Sequence, residues 1–370
     1  MTIPGAPLRV ALDVLPLVGQ PSGVGAACRG LLEALSCRHD LELSAYAVAR
    51  RSFLARREIP ASMPFRGRPV PARLANEAWL RVSVPSAERL TRRADVVHGT
   101  NFVVPPAGSS ATIVTVHDLT AVHYPQLCTP ATLAYPALVR RAVQRGAHVQ
   151  VPSGFVRGDV IDALGLPEDR VHVVAWGVPP VVLPTTTPPV EPPYVLALGT
   201  VEPRKDHPTL VHAFHELAAS QPELRLVVAG ADGWGSAVLT EAIAAHRLED
   251  RVVRLGYVNE EERSSLLWNA AVLAYPSRYE GFGFPPLEAM VAGVPVVATR
   301  TGALPEVVGD AALLVEPGDA GALAAALASV QSDRDLRRRL VERGADRAAA
   351  FTWERTAEEM ARLYRLASGR

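Results

Sequence analysis

The chain has 370 residues, of which 48% are hydrophobic and 21% are charged. This length and composition exclude a disordered protein and favour two globular domains of ordinary size. No run of about 18 apolar residues occurs, so no membrane-spanning helix is predicted. The N-terminal stretch predicts an opening strand rather than a signal peptide. The three scattered cysteines show neither a disulfide framework nor zinc spacing, which favours free thiols in a cytoplasmic protein.

The net charge is zero, but the charges are unevenly placed. Residues 1–177 hold 19 Arg against 13 Asp and Glu, whereas residues 178–370 hold 19 Lys and Arg against 25 Asp and Glu. A basic first half suits an anionic membrane or acceptor, and it equally suits a solvated basic face. The basic residues are 37 Arg and one Lys, Lys205. A lone lysine is therefore a candidate for a position that needs a compact ammonium group.

The first half predicts alternating strands and helices. Strands are predicted at 8–13, 41–48, 95–98, 112–116, 148–151 and 171–174, because each is a short apolar run. Helices are predicted after the turn Gly19–Gly25 and at 76–93, 130–145 and 153–163. The basic stretch 50–73 is irregular and predicts a surface loop or a contact with a lipid-linked acceptor.

A stretch from Pro179 to Pro193, rich in Pro and Thr, predicts a linker over 178–193. The second half then predicts strands at 194–198, 225–229, 252–255, 271–274 and 295–298. Helices are predicted at 208–219, with Asp206 as its cap, and at 259–269, 286–292, 304–309, 319–330, 333–350 and 352–367. This alternation predicts an α/β protein of two Rossmann-like, doubly wound domains, 1–177 and 194–370, facing a central cleft.

Two loops that join a strand to a helix carry residues suited to phosphate. Gly23, Val24 and Gly25 open the first helix, where backbone amides can approach a phosphate closely, although such glycines also serve simple turns. Arg204 and Lys205 stand just before a helix in the second half. Two cations beside a helix N-terminus predict a pyrophosphate site. The chain has neither a P-loop pattern nor G-x-G-x-x-G.

Two glutamates eight positions apart follow a predicted strand of the second half. Glu280 lies in the loop and Glu288 in the first turns of the next helix. The loop carboxylate can hold sugar hydroxyls, and the helix carboxylate can accept from a ribose. Between them, the amides of Gly281, Phe282 and Gly283 are predicted to point into the cleft.

The segment Glu280-Gly-Phe-Gly-Phe-Pro-Pro-Leu-Glu288 resembles the E-x7-E motif of the retaining glycosyltransferases of family 4. Its continuation through Ala298 and the segment Gly302-Ala-Leu-Pro-Glu306 resemble the same family. The resemblance reaches the first half through Pro21-Ser-Gly-Val-Gly25, Val97-His98 and Thr115-Val-His-Asp-Leu119. Together with the Glu-Pro-Arg-Lys loop, it suggests the mannosyltransferase-like branch that builds surface polysaccharides.

The resemblance implies the GT-B fold, with residues 1–177 as the acceptor-binding domain and residues 194–370 as the domain that binds the nucleotide-sugar donor. It also implies a retaining transfer that needs no metal or other cofactor. It implies that Arg204 and Lys205 neutralise the donor pyrophosphate and that Glu280 binds the donor sugar. It further implies donor-binding roles for Gly23, Val24, Gly25, Gly281, Phe282, Gly283 and Glu288, the last on the ribose. The last helix, about 352–368, is expected to pack back on the first domain, as in relatives.

Two histidines at predicted strand ends are weighed separately. The resemblance places His117 beside the reacting sugar, whereas for His98 a structural and a functional role both stay open. The chain departs from the family at Thr200, where many members have an arginine. Arg204 is then expected to supply that charge alone.

The resemblance also implies the partners. These are a nucleotide sugar, with GDP-mannose favoured and a UDP-sugar as the second choice, and a glycan or lipid-linked acceptor. No nucleic acid is expected as a partner. The protein is expected to be cytoplasmic, with possible peripheral contact at the inner face of the membrane. A nucleotide-sugar epimerase on the same fold and a non-catalytic nucleotide-sugar-binding partner stay open as alternatives.

Overall fold

The computed structural model describes residues 6–19, 22–91 and 93–370. The chain divides into two compact units: unit 1 comprises residues up to 177 together with 351–370, and unit 2 comprises residues 178–350.

The elements up to residue 177 are strands that are joined in most cases through helices. They are β1 (Leu8–Asp13), α1 (Gly23–Ser36), β2 (Leu41–Val48), β3 (Phe65–Arg68), α2 (Ala72–Arg81), α3 (Ala87–Leu90), β4 (Val96–Gly99), β5 (Ala111–Thr115), α4 (Thr120–His123), α5 (Pro130–Leu133), α6 (Tyr135–Gln144), β6 (His148–Val151), α7 (Gly154–Leu164) and β7 (Val171–Val173).

The remaining elements repeat the pattern from residue 194 onward. They are β8 (Tyr194–Leu198), α8 (His207–Ala218), β9 (Arg225–Ala229), α9 (Ser236–Ala245), β10 (Val252–Gly256), α10 (Glu260–Asn269), β11 (Val272–Tyr275), α11 (Phe284–Val291), β12 (Val296–Thr299), α12 (Leu304–Val308), β13 (Ala312–Val315), α13 (Ala320–Ser332), α14 (Arg334–Ala349) and α15 (Trp353–Ser368).

Each unit is built on one parallel sheet. The strand order is β3-β2-β1-β4-β5-β6-β7 in unit 1 and β10-β9-β8-β11-β12-β13 in unit 2, and the paired strands run parallel. In both sheets the order reverses beside the first strand, between β1 and β4 and between β8 and β11. Loops that leave the carboxyl ends of those strands diverge, which is where such sheets bind ligands. The predicted pair of Rossmann-like α/β domains is confirmed.

The central strands are continuous apolar runs because helices cover both faces of each sheet. All five residues of β8 and all four of β11 are buried. The helices bury one side each; α8, for example, turns Leu210, Phe214 and Leu217 inward.

The structure departs from the predicted elements in one helix, in three elements that the sequence analysis does not predict, and in one helix cap. Residues 76–93 do not form one helix: the chain is extended at Val82, and Pro85 keeps the residue before it out of the helical region, so α2 and α3 are separate. β3, β13 and α9 were not predicted; β3 lies in the basic stretch expected to be irregular, and α9 buries only Leu239 and Ile243. Asp206 precedes α8 but makes no capping bond, because its backbone is left-handed at φ 50°.

The segment 178–193 has no helix or strand, yet it is attached to unit 2. The indole N–H of Trp268 on α10 donates to the carbonyl of Val182 at 3.0 Å, and the Ser265 hydroxyl donates to the carbonyl of Thr186 at 3.1 Å. These bonds hold the Pro- and Thr-rich segment against α10.

Helix α15 belongs to unit 1 and closes its core. Its Trp353 ring lies so near α1 that a Cβ at Gly30 would come within 2.2 Å of it, so only glycine fits there. Near the other end, the Tyr364 hydroxyl and the His98 Nδ1 are 2.9 Å apart in the fully buried interior. The Thr115 hydroxyl donates to Gln150 and therefore accepts from His98 Nε2 at 2.8 Å. His98 Nδ1 thus accepts from Tyr364, which joins α15 to the sheet.

We predict that Tyr364→Phe lowers the free energy of unfolding of unit 1 by about 1–3 kcal/mol, because a buried His98 nitrogen loses its partner. Urea unfolding followed by circular dichroism and by tryptophan fluorescence measures the change. Tyr257→Phe, at an exposed tyrosine, is the matched control and should leave the midpoint almost unchanged. Equal effects of the two substitutions would contradict the network.

Candidate active site

The sole lysine meets the loop glutamate at the switch point of the unit 2 sheet. Lys205 ends a short 3-10 turn that follows β8, and Glu280 lies in the loop that follows β11. The Lys205 Nζ donates to Glu280 Oε1 at 2.5 Å and to the Tyr275 hydroxyl at 2.7 Å. Sequence-distant residues are thus in direct contact because their strands are neighbours in the sheet.

Arg204 contacts the other oxygen of the Glu280 carboxylate. Its guanidinium lies 2.9 Å from Glu280 Oε2 and also donates to the Tyr279 carbonyl at 2.6 Å. A second carboxylate, Glu202, accepts from Arg204 at 2.7 Å. Two cations therefore converge on Glu280, and the structure brings the three predicted site residues Arg204, Lys205 and Glu280 into contact.

The charges of this cluster control one another. The flanking Arg204 and Lys205 lower the pKa of Glu280 to about 2, although burial alone would raise it. Burial lowers the pKa of Lys205, and the Glu280 carboxylate opposes that shift. Glu280 is therefore a carboxylate at neutral pH, and it holds two cations in position without the aid of solvent.

Glu288 lies apart from this cluster and has its own partner. It is 3% exposed on α11 and contacts the guanidinium of Arg263 on α10. Burial raises the pKa of Glu288, and Arg263 offsets part of the rise. Gly283 precedes α11 with φ 117°, a left-handed conformation that favours glycine. Gly281 and Phe282 complete the loop between the glutamates, and Phe282 is buried with its ring edge-on to Phe284.

In unit 1 the predicted phosphate-binding turn forms the start of α1. Gly23 is the first helical residue, followed by Val24 and Gly25. The Ser22 hydroxyl accepts from the Gly25 amide at 3.1 Å and caps the helix. A Cβ at position 25 would meet the Pro16 carbonyl at 3.0 Å. The preceding residues 20 and 21 lie outside the described part of the chain.

His117 follows β5 and has one ring nitrogen fixed. Its Nε2 donates to the Thr100 carbonyl at 2.9 Å, so Nδ1 carries the lone pair. Nδ1 has no protein partner within residues 6–19, 22–91 and 93–370. Burial lowers the pKa of His117, which keeps the ring neutral and leaves Nδ1 as a hydrogen-bond acceptor.

For His98 the sequence leaves a structural and a functional role open, and its contacts favour the structural role. Both of its ring nitrogens are bonded, to Tyr364 and Thr115, and the side chain is fully buried. Burial lowers its pKa to about 3. It therefore has no ring nitrogen to offer a ligand in this structure.

A cavity at the carboxyl edge of the unit 1 sheet was missed by the sequence analysis. It has a volume of about 160 Å³. Asp13, the last residue of β1, lies in it; its Oδ1 accepts from the Leu15 amide at 3.0 Å, and burial raises its pKa to about 7. The only sequence signal was an acidic residue that ends an otherwise apolar strand. The cavity is lined by Asp13, Leu15, Pro16, Tyr46, Val48, Ala72, Asn76, Trp79, Asn101, Val103, Pro105 and Tyr135.

Comparison with known proteins assigns the family. A family model described as glycosyl transferases group 1 matches residues 184–347, and one described as glycosyltransferase family 4 matches residues 21–181. The O-antigen chain mannosyltransferase B of Escherichia coli is 31% identical over 284 residues, which cover 73% of this chain and 74% of that protein. The chain belongs to the family 4 glycosyltransferases. It is therefore a glycosyltransferase enzyme.

Further relatives of this glycosyltransferase are also sugar-transferring enzymes or share its fold. The MMP α-(1→4)-mannosyltransferase of Mycolicibacterium hassiacum is 34% identical over 249 residues, which span 63% of this chain and 60% of that relative. Among solved structures, sucrose-phosphate synthase from Thermosynechococcus elongatus has a TM-score of 0.73 at 22% identity, covering 97% of this chain and 98% of that one. Anabaena HepE in complex with UDP and glucose has a TM-score of 0.72 at 18% identity, covering 96% and 99%. At these low sequence identities, the structural likeness shows a shared GT-B fold.

The described residues lack two features, a membrane-spanning helix and a metal-binding cluster. No helix there combines the length and apolar character required to cross a bilayer. No group of three or more His, Cys, Asp or Glu side chains in the same part of the chain is arranged to hold a metal ion.

The raised pKa of Asp13 predicts a pH-dependent stability. A carboxyl group of the unfolded chain titrates near pH 4, whereas Asp13 in the fold keeps its proton to about pH 7. Between these values the folded state binds more protons, so this residue's contribution to stability falls as pH rises. The melting temperature of Asp13→Asn, minus that of the wild type, should therefore increase from pH 5 to pH 8.

Asp169→Asn, at an exposed aspartate of the same unit, controls for the loss of a carboxylate. Thermal melts of the three proteins at each pH measure the difference. A difference for Asp13→Asn that stays flat across the range would contradict the buried acid form.

Proposed function

We propose that this glycosyltransferase moves a hexose, with mannose favoured, from a nucleotide diphosphate sugar to a glycan or lipid-linked acceptor in the synthesis of cell-surface polysaccharide or glycolipid. The observation that carries the proposal is the contact of Lys205 and Arg204 with Glu280 at the switch point of the unit 2 sheet. The two cations suit the anionic phosphates of such a donor, and the carboxylate suits the hydroxyls of its sugar.

The leaving group of the reaction is a nucleoside diphosphate. Negative charge grows on its phosphate oxygen as the bond to the anomeric carbon breaks. The side chains of Lys205 and Arg204 are 12% and 14% exposed, so their charges act on that oxygen with limited screening by water. The proposal assigns the stabilisation to these side chains and to the α1 N-terminus with Gly23, Val24 and Gly25, without a metal ion.

The carboxylates hold the neutral parts of the donor. Glu280 accepts hydrogen bonds from hydroxyls of the transferred sugar, with help from the amides of Gly281, Phe282 and Gly283. Glu288 accepts from the ribose hydroxyls. In the present structure Arg263 on α10 contacts this buried carboxylate. Glu288 can therefore accept a hydrogen bond from a group outside its own helix.

The transfer proceeds with retention of configuration. The bond from the anomeric carbon to the phosphate oxygen breaks, and the acceptor oxygen bonds to the same face of that carbon. The acceptor proton passes to the departing phosphate oxygen, so no separate protein base is needed. His117 Nδ1, a neutral acceptor, receives a hydrogen bond from a hydroxyl of the reacting sugar.

Support for the donor comes from the relatives. The two curated relatives described above are mannosyltransferases, which favours mannose and hence GDP-mannose. The HepE structure contains UDP and glucose, which keeps a UDP-sugar as the second choice.

Thermal melting against a panel of nucleotides and sugar nucleotides tests the donor site. A ligand at about 100 times its Kd stabilises the fold by roughly 2.7 kcal/mol. We expect GDP and GDP-mannose, or UDP and a UDP-sugar, to raise the melting temperature equally with magnesium and with EDTA. Lys205→Ala should abolish the rise, since it removes the buried ammonium.

Arg300→Ala removes an exposed cation of the same unit and should keep the rise. If no nucleotide shifts the wild type, the donor site is wrong. If the shift requires magnesium, the metal-free stabilisation of the phosphates is wrong.

The stereochemistry of the product tests retention. With an α-linked donor such as GDP-mannose, the new glycosidic bond should also be α. The one-bond carbon–proton coupling at the anomeric position, measured by NMR on the isolated product, distinguishes the two anomers. A β product would contradict same-face transfer.

A further inference from the structure

We propose that Arg278 and Asp206 form a positioning pair, which fixes Arg204 and Lys205 in the places where they bind the donor phosphates. The inference rests on the proposed function, and it assigns a role in the reaction to two residues outside the groups that contact the donor. Both lie in unit 2, Asp206 at the end of the turn that follows β8 and Arg278 in the loop that follows β11. Residues 203–206 are called the cation turn below.

The Arg278 guanidinium holds the Asp206 carboxylate with two of its nitrogens. Its Nε lies 3.0 Å from Oδ2, and its Nη2 donates to Oδ1 at 3.2 Å. The Asp206 side chain is 4% exposed, whereas that of Arg278 is 52% exposed. A buried carboxylate is costly without a compensating cation. Arg278 therefore supplies the charge that allows Asp206 to end the cation turn inside the protein.

The backbone joins the same two segments. The Arg278 amide donates to the Arg204 carbonyl at 2.8 Å, so the loop after β11 holds the cation turn both at Arg204 and at Asp206. Asp206 has φ 50°, a left-handed conformation that few residues other than Gly, Asn and Asp adopt. The ion pair thus stabilises the backbone on both sides of Lys205.

The loop that carries Arg278 is itself held from the segment after β12. The Thr301 hydroxyl donates to the Arg278 carbonyl at 2.8 Å, and the Ala303 amide donates to the Glu280 carbonyl at 2.9 Å. A Cβ at Gly302 would come within 2.3 Å of that Glu280 carbonyl oxygen, so the two segments are closely packed. Arg278 therefore connects the cation turn to a loop that is fixed on its other side.

The pair is needed because a donor competes with Glu280 for the same two cations. Its pyrophosphate attracts Arg204 and Lys205, and it weakens their hold on the carboxylate that joins the two loops. The bond between Arg278 and Asp206 uses neither of those cations, so a bound phosphate leaves it intact. It keeps the cation turn in register with the Glu280 loop throughout the reaction, and preorganised charges bind and stabilise a phosphate best.

Isothermal titration calorimetry of the full chain with GDP and with UDP tests the pair. Asp206→Asn removes the buried charge but keeps a residue that tolerates the left-handed backbone, and Arg278→Gln removes the guanidinium. Each should weaken binding of the nucleotide that the wild type prefers by about tenfold. The double variant should lose no more than either single variant, because contacting residues that act as one unit are not additive. Arg278→Lys, which keeps the charge without the planar fork, should lose about threefold.

Arg300→Gln is the matched control. Arg300 is 56% exposed and pairs with Glu316 at 3.4 Å in the same unit, so the substitution repeats the loss of an exposed, ion-paired arginine. Its affinity for nucleotide should equal that of the wild type. Melts followed by circular dichroism without nucleotide establish that each variant is folded at the temperature of the titration.

The double variant separates positioning from simple stability. It leaves no buried charge unpaired, so a pair that only stabilised the fold would give wild-type affinity there, and that result would overturn the inference. Unchanged affinity in both single variants, losses that add in the double variant, or an equal loss in Arg300→Gln would overturn it too. In all these cases the wild type still binds nucleotide, and the proposed function stands. If the wild type binds neither GDP nor UDP, the proposed function fails, and the inference fails with it.

Discussion

The chemistry of unit 2 depends on one carboxylate shared by two cations. Glu280 gives one oxygen to Lys205 and the other to Arg204, and each charge would be costly in this buried place without the others. The sheet makes the arrangement possible, since neighbouring parallel strands β8 and β11 deliver both loops to the same edge. The protein itself thus holds both cations in defined positions.

Environment, rather than residue type, decides what each acid of this glycosyltransferase can do. Two cations lower the pKa of Glu280, so it acts only as an acceptor. Buried Glu288 and half-buried Asp13 have fewer opposing charges beside them, and desolvation raises the pKa of each. With a pKa of about 7, Asp13 is partly protonated near neutral pH and can then donate as well as accept. Glu288 instead accepts from the guanidinium of Arg263.

Much of unit 2's site was readable from the sequence, because its residues cluster in two short segments. The lone Lys205 and the spacing of Glu280 and Glu288 stand out without any coordinates, and apolar runs predicted most strands of both sheets. The unit 1 cavity around Asp13 was not readable, since its lining comes from segments that only the strand order brings together. His98 looked like a site residue because it ends a strand, as His117 does. Only packing against Tyr364, 266 positions away, shows that it is structural.

The return of α15 to unit 1 has a consequence for biosynthesis. During translation, residues up to 177 leave the ribosome well before residues 351–370, and all of unit 2 is made in between. For that interval Gly30 lacks its Trp353 cover, and the buried His98 lacks Tyr364. Domains usually fold as they emerge, but unit 1 cannot complete its core until the chain has passed through unit 2. The nascent protein therefore carries a first domain whose core stays incomplete until α15 has been made.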